Sequence, residues 1–292
     1  MALPPTPVGY SNWNAYIEEQ EAIVAAAQGL TFQQGKASVK LLSVATPGRT
    51  NPASPDYMIY NVFDTWANIT VSPTIGRPWR IEIDSGSIQF NGGNYLSVAG
   101  GAGTAMSTDN FTWETYVYPT SSTGYQAFID TRTNPLGGGD TTGFYFGTND
   151  NTLTPIYYTD SLQLASSINI TINSWNHVAL TRNGGTVTLW VNGVSGGTKS
   201  DTTNLTEQRV FVGGVAIGGL NLTGSISNLR IVKGTAVYTA PFTPPTAPLT
   251  AITNTQLLMN MSTSGTAYID SSVNAFTVTA VGTPSWSALN PF

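Results

Sequence analysis

Asn173–Val194, NSWNHVALTRNGGTVTLWVNGV, is the stretch that decides the fold class. It reads as a strand, an Asn-Gly-Gly turn, a second strand and an Asn-Gly turn, the strongest short-range signal for antiparallel pairing. In the first strand Val178 and Leu180 fall on one face, and Trp175, His177, Ala179 and Thr181 fall on the other. In the second, Val187, Leu189 and Val191 alternate with Thr188 and Trp190. A helix face would repeat its apolar residues every three to four positions; a period of two belongs to a pleated strand.

The same pattern extends on both sides. Ser87–Val98, SIQFNGGNYLSV, predicts a hairpin around its central Gly-Gly. Phe111–Pro119, FTWETYVYP, alternates strictly, with Phe111, Trp113, Thr115 and Val117 on one face and Thr112, Glu114, Tyr116 and Tyr118 on the other. Further strands are predicted at Tyr125–Asp130, Gly143–Gly147, Thr154–Thr159, Val210–Gly213 and Leu222–Val232, with two or three more in Gln256–Phe292. Strands at this spacing, separated by Gly, Asn and Ser turns, argue a mainly β antiparallel sandwich. Val178, Leu180, Leu189, Val191, Phe111 and Trp113 are its expected core.

Residues 1–80 read differently and form the expected N-terminal domain, with the sandwich occupying 81–292. The first ten residues are Pro-rich. Ser11 or Asn12 can then cap a helix over Asn14–Gln28, which Gly29 is placed to end. Trp13, Ile17 and Val24 give it a weak apolar stripe, with Tyr16 alongside. Tyr57, Tyr60, Phe63 and Trp66 follow at a spacing of three. These aromatics make either a small local core or a contact with another subunit, since both kinds of burial favour aromatic rings. The helix stripe likewise packs on its own domain or on a neighbouring chain.

Composition limits the function. Charged residues make up 9% of the 292, against roughly 25% in ordinary globular proteins. The formal net charge is −5 and no basic run occurs, so nucleic acid is not an expected partner. Cysteine is absent, which removes disulfide and thiolate chemistry. The opening MALPPTPVGY lacks the charged and apolar regions of a signal peptide, and no apolar run approaches the about 20 residues of a membrane span. The expectation is a chain made in a cytoplasm, with no membrane insertion.

The strand motifs also carry a resemblance. SIQFNGGNYLSV, FTWETYVYP, NSWNHVALTR, LWVNG and LTGSISNLRIVKGTAVYTAPFTPP follow one another as they do in the laminin-G-like, concanavalin A-like jelly-roll family. The resemblance covers about Ile81–Leu249 and none of residues 1–80. It implies a jelly roll that binds carbohydrate or protein. The last motif, with DSSVNAFTVTAVG after it, is worded like versions in bacteriophage structural proteins. That likeness implies a virion protein: a tail fibre or similar appendage, or alternatively a capsid decoration. A free carbohydrate-binding lectin is the other alternative. On this expectation residues 1–80 join other virion proteins and copies of the chain itself, most simply as a homotrimer. Trp13, Tyr16, Ile17, Tyr57, Tyr60, Phe63 and Trp66 are then the expected assembly residues.

Candidate chemistry is sparse. Glycosidases on related folds need two carboxylates about the scissile bond. Glu114 stands alone on its strand, and the Glu82/Asp84 pair precedes the sandwich, so no enzyme is expected. His177, the single histidine, reads as a packed strand residue. Some family members hold calcium, but Asp130, Asp140, Asp150 and Asp160 are spread over different loops, and a hard cation needs about six to eight oxygens. No metal or cofactor is expected. The expected glycan contact is the uncharged face of Glu114, Tyr116 and Tyr118, where rings could stack on sugars and a carboxylate could accept hydroxyls. The competing fate of that face is to pack beneath a covering loop.

Overall fold

A computed structural model describes residues 69–71, 81–83, 85–132, 142–159, 162–215, 219–262 and 267–292. The expected helix over 14–28 and the seven expected assembly residues lie outside them. The chain divides into two compact units, Met1–Asp84 with Phe292, and Ser85–Pro291. In the first, β1 (Ile69–Val71) and β2 (Ile81–Ile83) pair antiparallel. Ile81–Ile83 therefore pairs outside the sandwich, whose first strand begins at Ser87.

The second unit is a sandwich of two antiparallel sheets. Its strands are β3 (Ser87–Asn91), β4 (Tyr95–Val98), β5 (Phe111–Pro119), β6 (Gln126–Asp130), β7 (Tyr145–Thr148), β8 (Pro155–Thr159) and β9 (Leu162–Ala165). They continue with β10 (Asn176–Asn183), β11 (Thr186–Val191), β12 (Val194–Ser200), β13 (Val210–Val212) and β14 (Thr223–Lys233). The last three are β15 (Thr255–Met259), β16 (Val278–Val281) and β17 (Ser285–Ser287). One sheet has eight strands, in the order β12-β11-β10-β5-β14-β3-β17 with β15 also beside β14. The other has seven, in the order β16-β4-β13-β6-β7-β8-β9. This is the expected mainly β jelly roll.

The hairpin that opened the reading is present: β10 pairs β11 from Val178↔Val191 to Asn183↔Thr186. Its Val178, Leu180, Leu189 and Val191 join Phe111, Trp113 and Val117 in the core between the sheets, all at most 1% exposed. The opposite sheet contributes Phe128, Phe146 and Tyr157. Phe144, just ahead of β7, fits edge-on to Trp113 at 4.9 Å and stacks on Phe111 at 6.3 Å. Interlocked aromatic pairs like these add about 0.5–1.5 kcal/mol each beyond the area they bury.

SIQFNGGNYLSV is not a hairpin. β3 pairs β14 and β17 in one sheet, and β4 pairs β13 and β16 in the other. The segment is an arch between sheets. Gly92 turns it at φ +81°, its N–H donating to Leu222 O at 2.9 Å, and Asn94 Oδ1 accepts from Asn91 N at 3.1 Å. The arch sets Ile88 and Phe90 of one sheet against Leu96 and Val98 of the other in a single core. A hairpin and an arch share this alternation and turn chemistry; long-range strand partners choose between them. β9 and β12, which the sequence did not suggest, pair β8 and β11 and end the two sheets on one side.

Candidate functional site

The outer face of β5 is roofed. The segment after β14, residues 234–249, crosses it and closes over Glu114 and Tyr116. Val237 N donates to Thr112 Oγ1 at 2.8 Å, Phe242 N donates to Gly193 O at 3.0 Å, and the Tyr116 hydroxyl donates to Pro245 O. Tyr238 and Phe242 stack at 3.6 Å and meet His177 edge-on. Glu114 is 0% exposed and Tyr116 5%. The open sugar-binding face expected at Glu114, Tyr116 and Tyr118 is therefore corrected to a covered one. Tyr118, half-buried at the strand end, packs against Trp175 at 5.5 Å.

A buried carboxylate needs partners, and Glu114 has a full set. Arg230 on β14 donates from Nε at 2.8 Å and Nη2 at 2.6 Å to Oε1. Tyr238 donates to Oε2 at 2.6 Å, and His177 Nε2 lies 3.1 Å from the same oxygen. Burial alone pushes the carboxyl pKa up; the His177 hydrogen bond, the Arg230 charge and the Tyr238 hydroxyl together hold it below its ordinary value. Burial, and then the neighbouring Glu114 charge, push both the Tyr116 and Tyr238 hydroxyls up. This cluster ties β5, β10, β14 and the covering segment together and leaves no carboxylate oxygen for a substrate.

The outer face of the seven-stranded sheet carries an open pocket of about 280 Å³ lined by Tyr125, Arg132, Tyr145, Ile156, Tyr158, Gln163 and Leu220. Its construction begins with a bulge in β6 between Ala127 and Ile129. The bulge turns both Phe128 and Ile129 into the main core and leaves Ala127 in a separate outer cluster with Tyr145 and Ile156. Cross-strand pairs then form a row, Asp130↔Tyr145, Tyr145↔Tyr158 and Tyr158↔Gln163. Gly147 is required beside it: a Cβ there would lie 2.5 Å from the Tyr145 hydroxyl. That hydroxyl donates to Thr148 O at 2.8 Å, so the ring lies along its own strand as the pocket floor. Arg132 bridges the row. Its guanidinium carbon sits 5.1 Å from the Tyr145 ring centre and 5.6 Å from that of Tyr158, while Nη2 bonds Asp130 Oδ2 at 2.6 Å. Tyr125, 40% exposed, stands edge-on to Tyr145 and forms a wall.

Residues 90–237, half of the chain, match the laminin-G-type family model described as the concanavalin A-like lectin/glucanases superfamily. The chain belongs to this superfamily. No curated protein matches it. Among solved structures it is similar to a Bacteroides ovatus protein named as a candidate carbohydrate-binding protein, at 16% identity and a TM-score of 0.56. That likeness covers 76% of this chain and 66% of the other, so the chain spans just under two thirds of its length. It is also similar to the heptameric SAP-like pentraxin of Limulus polyphemus, with 17% identity, TM-score 0.40, and 51% and 76% of the two chains covered. A third is the CBM40 of Ruminococcus gnavus IT-sialidase bound to α2,3-sialyllactose, with 19% identity, TM-score 0.41, and 55% and 91% covered. At these identities the shared property is the fold.

Among the described residues the donors do not match the calcium that some members of the superfamily hold, and Asp140 and Asp160 lie outside those residues. Among the described residues no three His, Asp or Glu side chains gather. Asp130 is tied to Arg132, and Asp201 accepts from the Tyr157 hydroxyl. Asp270 accepts from the backbone N–H groups of Leu258, Ser272 and Phe276. The sequence reading missed the pocket residues, although a signal was there. FYF and IYY place aromatics on both faces of β7 and β8, whereas a strand with one solvated face carries them on one.

Proposed function

We propose that this chain is a bacteriophage virion structural protein, a tail fibre or similar appendage, whose jelly roll contacts host-surface glycan without cleaving it. The open aromatic pocket on the seven-stranded sheet carries the glycan part of the reading. Flat rings with a few convergent polar groups are what a sugar site needs: apolar ring faces for C–H groups, and hydrogen-bonding groups for hydroxyls. Superfamily membership supports the same reading. The virion part is supported by the wording of the closing motif and the DSSVNAFTVTAVG segment. Residues 1–80 then supply the joint to other virion proteins and to two further copies, and several weak contacts sum by avidity. Superfamily membership equally favours a free lectin; capsid decoration is a different placement of the same leader and jelly roll.

Glycan cleavage would need two carboxylates flanking the bond, about 5–9.5 Å apart. Among the described residues the pocket lining contains no Asp or Glu, and Glu114 is saturated beneath its cover on the other sheet. The test has two arms. Virions labelled with an antibody to the chain and imaged in negative stain should show the label on a tail appendage; an unlabelled particle overturns the virion reading. The assembled protein should bind host cells or their isolated polysaccharide and release no reducing ends; steady release by pure protein overturns the non-enzymatic reading.

A further inference from the structure

The polar groups of the open pocket fall into two sets. The charged pair is spent on itself: Arg132 reaches Asp130 Oδ2 from Nε at 3.1 Å and Nη2 at 2.6 Å, with side chains 7% and 0% exposed. The uncharged set faces outward. Among the described residues, the hydroxyls of Tyr125 and Tyr158 and the side-chain amide of Gln163 take no part in any hydrogen bond within the protein. Each of these groups both donates and accepts. A sugar hydroxyl does the same, so each can pair with it in either sense. A carboxylate or sulfate only accepts, and it brings a charge that calls for an uncommitted cation. Lys199, on the edge strand of the other sheet, donates to the Gln163 carbonyl at 3.0 Å and is not part of the lining.

Resting on the glycan reading above, we infer that this pocket selects an uncharged sugar, one or two rings at a chain end or branch, over uronate-, sialate- or sulfate-bearing glycans. The extent follows from the sheet: the row from Tyr145 to Gln163 spans two strand spacings, about 10 Å. Tyr145, 2% exposed, is the floor on which Arg132, tied to Asp130, rests beside the half-buried Tyr158, while Tyr125, Tyr158 and Gln163 meet the sugar and read its hydroxyls. Arg132 is thus a positioning residue.

The experiment titrates neutral gluco-, galacto- and manno-oligosaccharides, and uronate- and sialate-bearing counterparts of equal length, into the full-length protein by calorimetry. Wild type is compared with Tyr125→Ala and Gln163→Ala, both at exposed positions, and thermal unfolding checks that each variant keeps the fold. A neutral series should bind with an affinity insensitive to salt, weakened about tenfold or more by each substitution, equivalent to ~1.4 kcal/mol. Tighter, salt-sensitive binding of the acidic series would overturn the selectivity and leave the glycan reading standing. Neutral binding kept in full by both variants would overturn this pocket as the site. Failure of every sugar to bind would overturn this inference together with the glycan reading.

Discussion

At the scale of single residues, Glu114 shows how burial changes a side chain's role. On the strand it looks like a solitary acceptor for a ligand; in the fold it is the counter-charge of Arg230 and the shared acceptor of Tyr238 and His177. Removing the charge leaves a buried guanidinium without its counter-ion, so Glu114→Gln should destabilise by about 3 kcal/mol or more, read from denaturant midpoints. Its pH dependence has a definite sign. The folded carboxyl titrates below its ordinary value, so its contribution is complete above the unfolded pKa, about 4.3. That contribution is lost as pH falls from there through the lower folded pKa. Wild type should therefore lose stability in that acid window more steeply than Glu114→Gln; parallel acid profiles would contradict this. Trp113 tests the core. It is 0% exposed against Phe144, and Trp113→Ala should cost about 3–5 kcal/mol in the same measurement.

Among elements, the covering segment 234–249 and the arch 91–94 are the two whose roles the local sequence underdetermines. The segment has no regular secondary structure and is held by contacts to β5, β10 and the turn at Gly193. Gly193 sits at φ +80°, and a Cβ there would collide with the Phe242 carbonyl. Gly193→Ala should lift the segment locally: Phe242 and Val237 amides should exchange with solvent faster, while the β5 core amides stay protected. Unchanged exchange at Phe242 would remove the turn as its anchor. The bulge in β6 works the same way on the other sheet. It lets Phe128 and Ile129 both face the core, and the cross-strand row over Tyr145 and Tyr158 begins beside it.

For the whole molecule, the test concerns its two parts. A chain lacking residues 1–80 should stay folded and soluble, with the unfolding transition of the sandwich, and should fail to enter particles; normal incorporation would discard the anchor role. How much of this was legible in advance follows from where the information lies. Period-two alternation in Phe111–Pro119 and Asn173–Val194 fixes strands, since it depends on neighbours along the chain, and the ordered motifs carried the jelly roll. Which residues were apolar enough for the core was equally local, as Val178, Leu189 and Trp113 show. The arch, the covered face and the pocket were not local. Asn-Gly-Gly-Asn permits a hairpin or an arch, and β14 and β13, more than a hundred residues away, decide by pairing β3 and β4 in different sheets. Glu114 and Tyr116 have the sequence of an exposed polar face until residues 237–245 fold over them. The pocket arises from Arg132, Tyr145, Tyr158 and Gln163, which sequence separates and strand register aligns. The sequence by itself determined strands, core and superfamily, because alternation and motif are written along the chain. Only the tertiary structure decided which polar residues meet solvent, because exposure depends on segments distant in sequence that cover one face and leave another open.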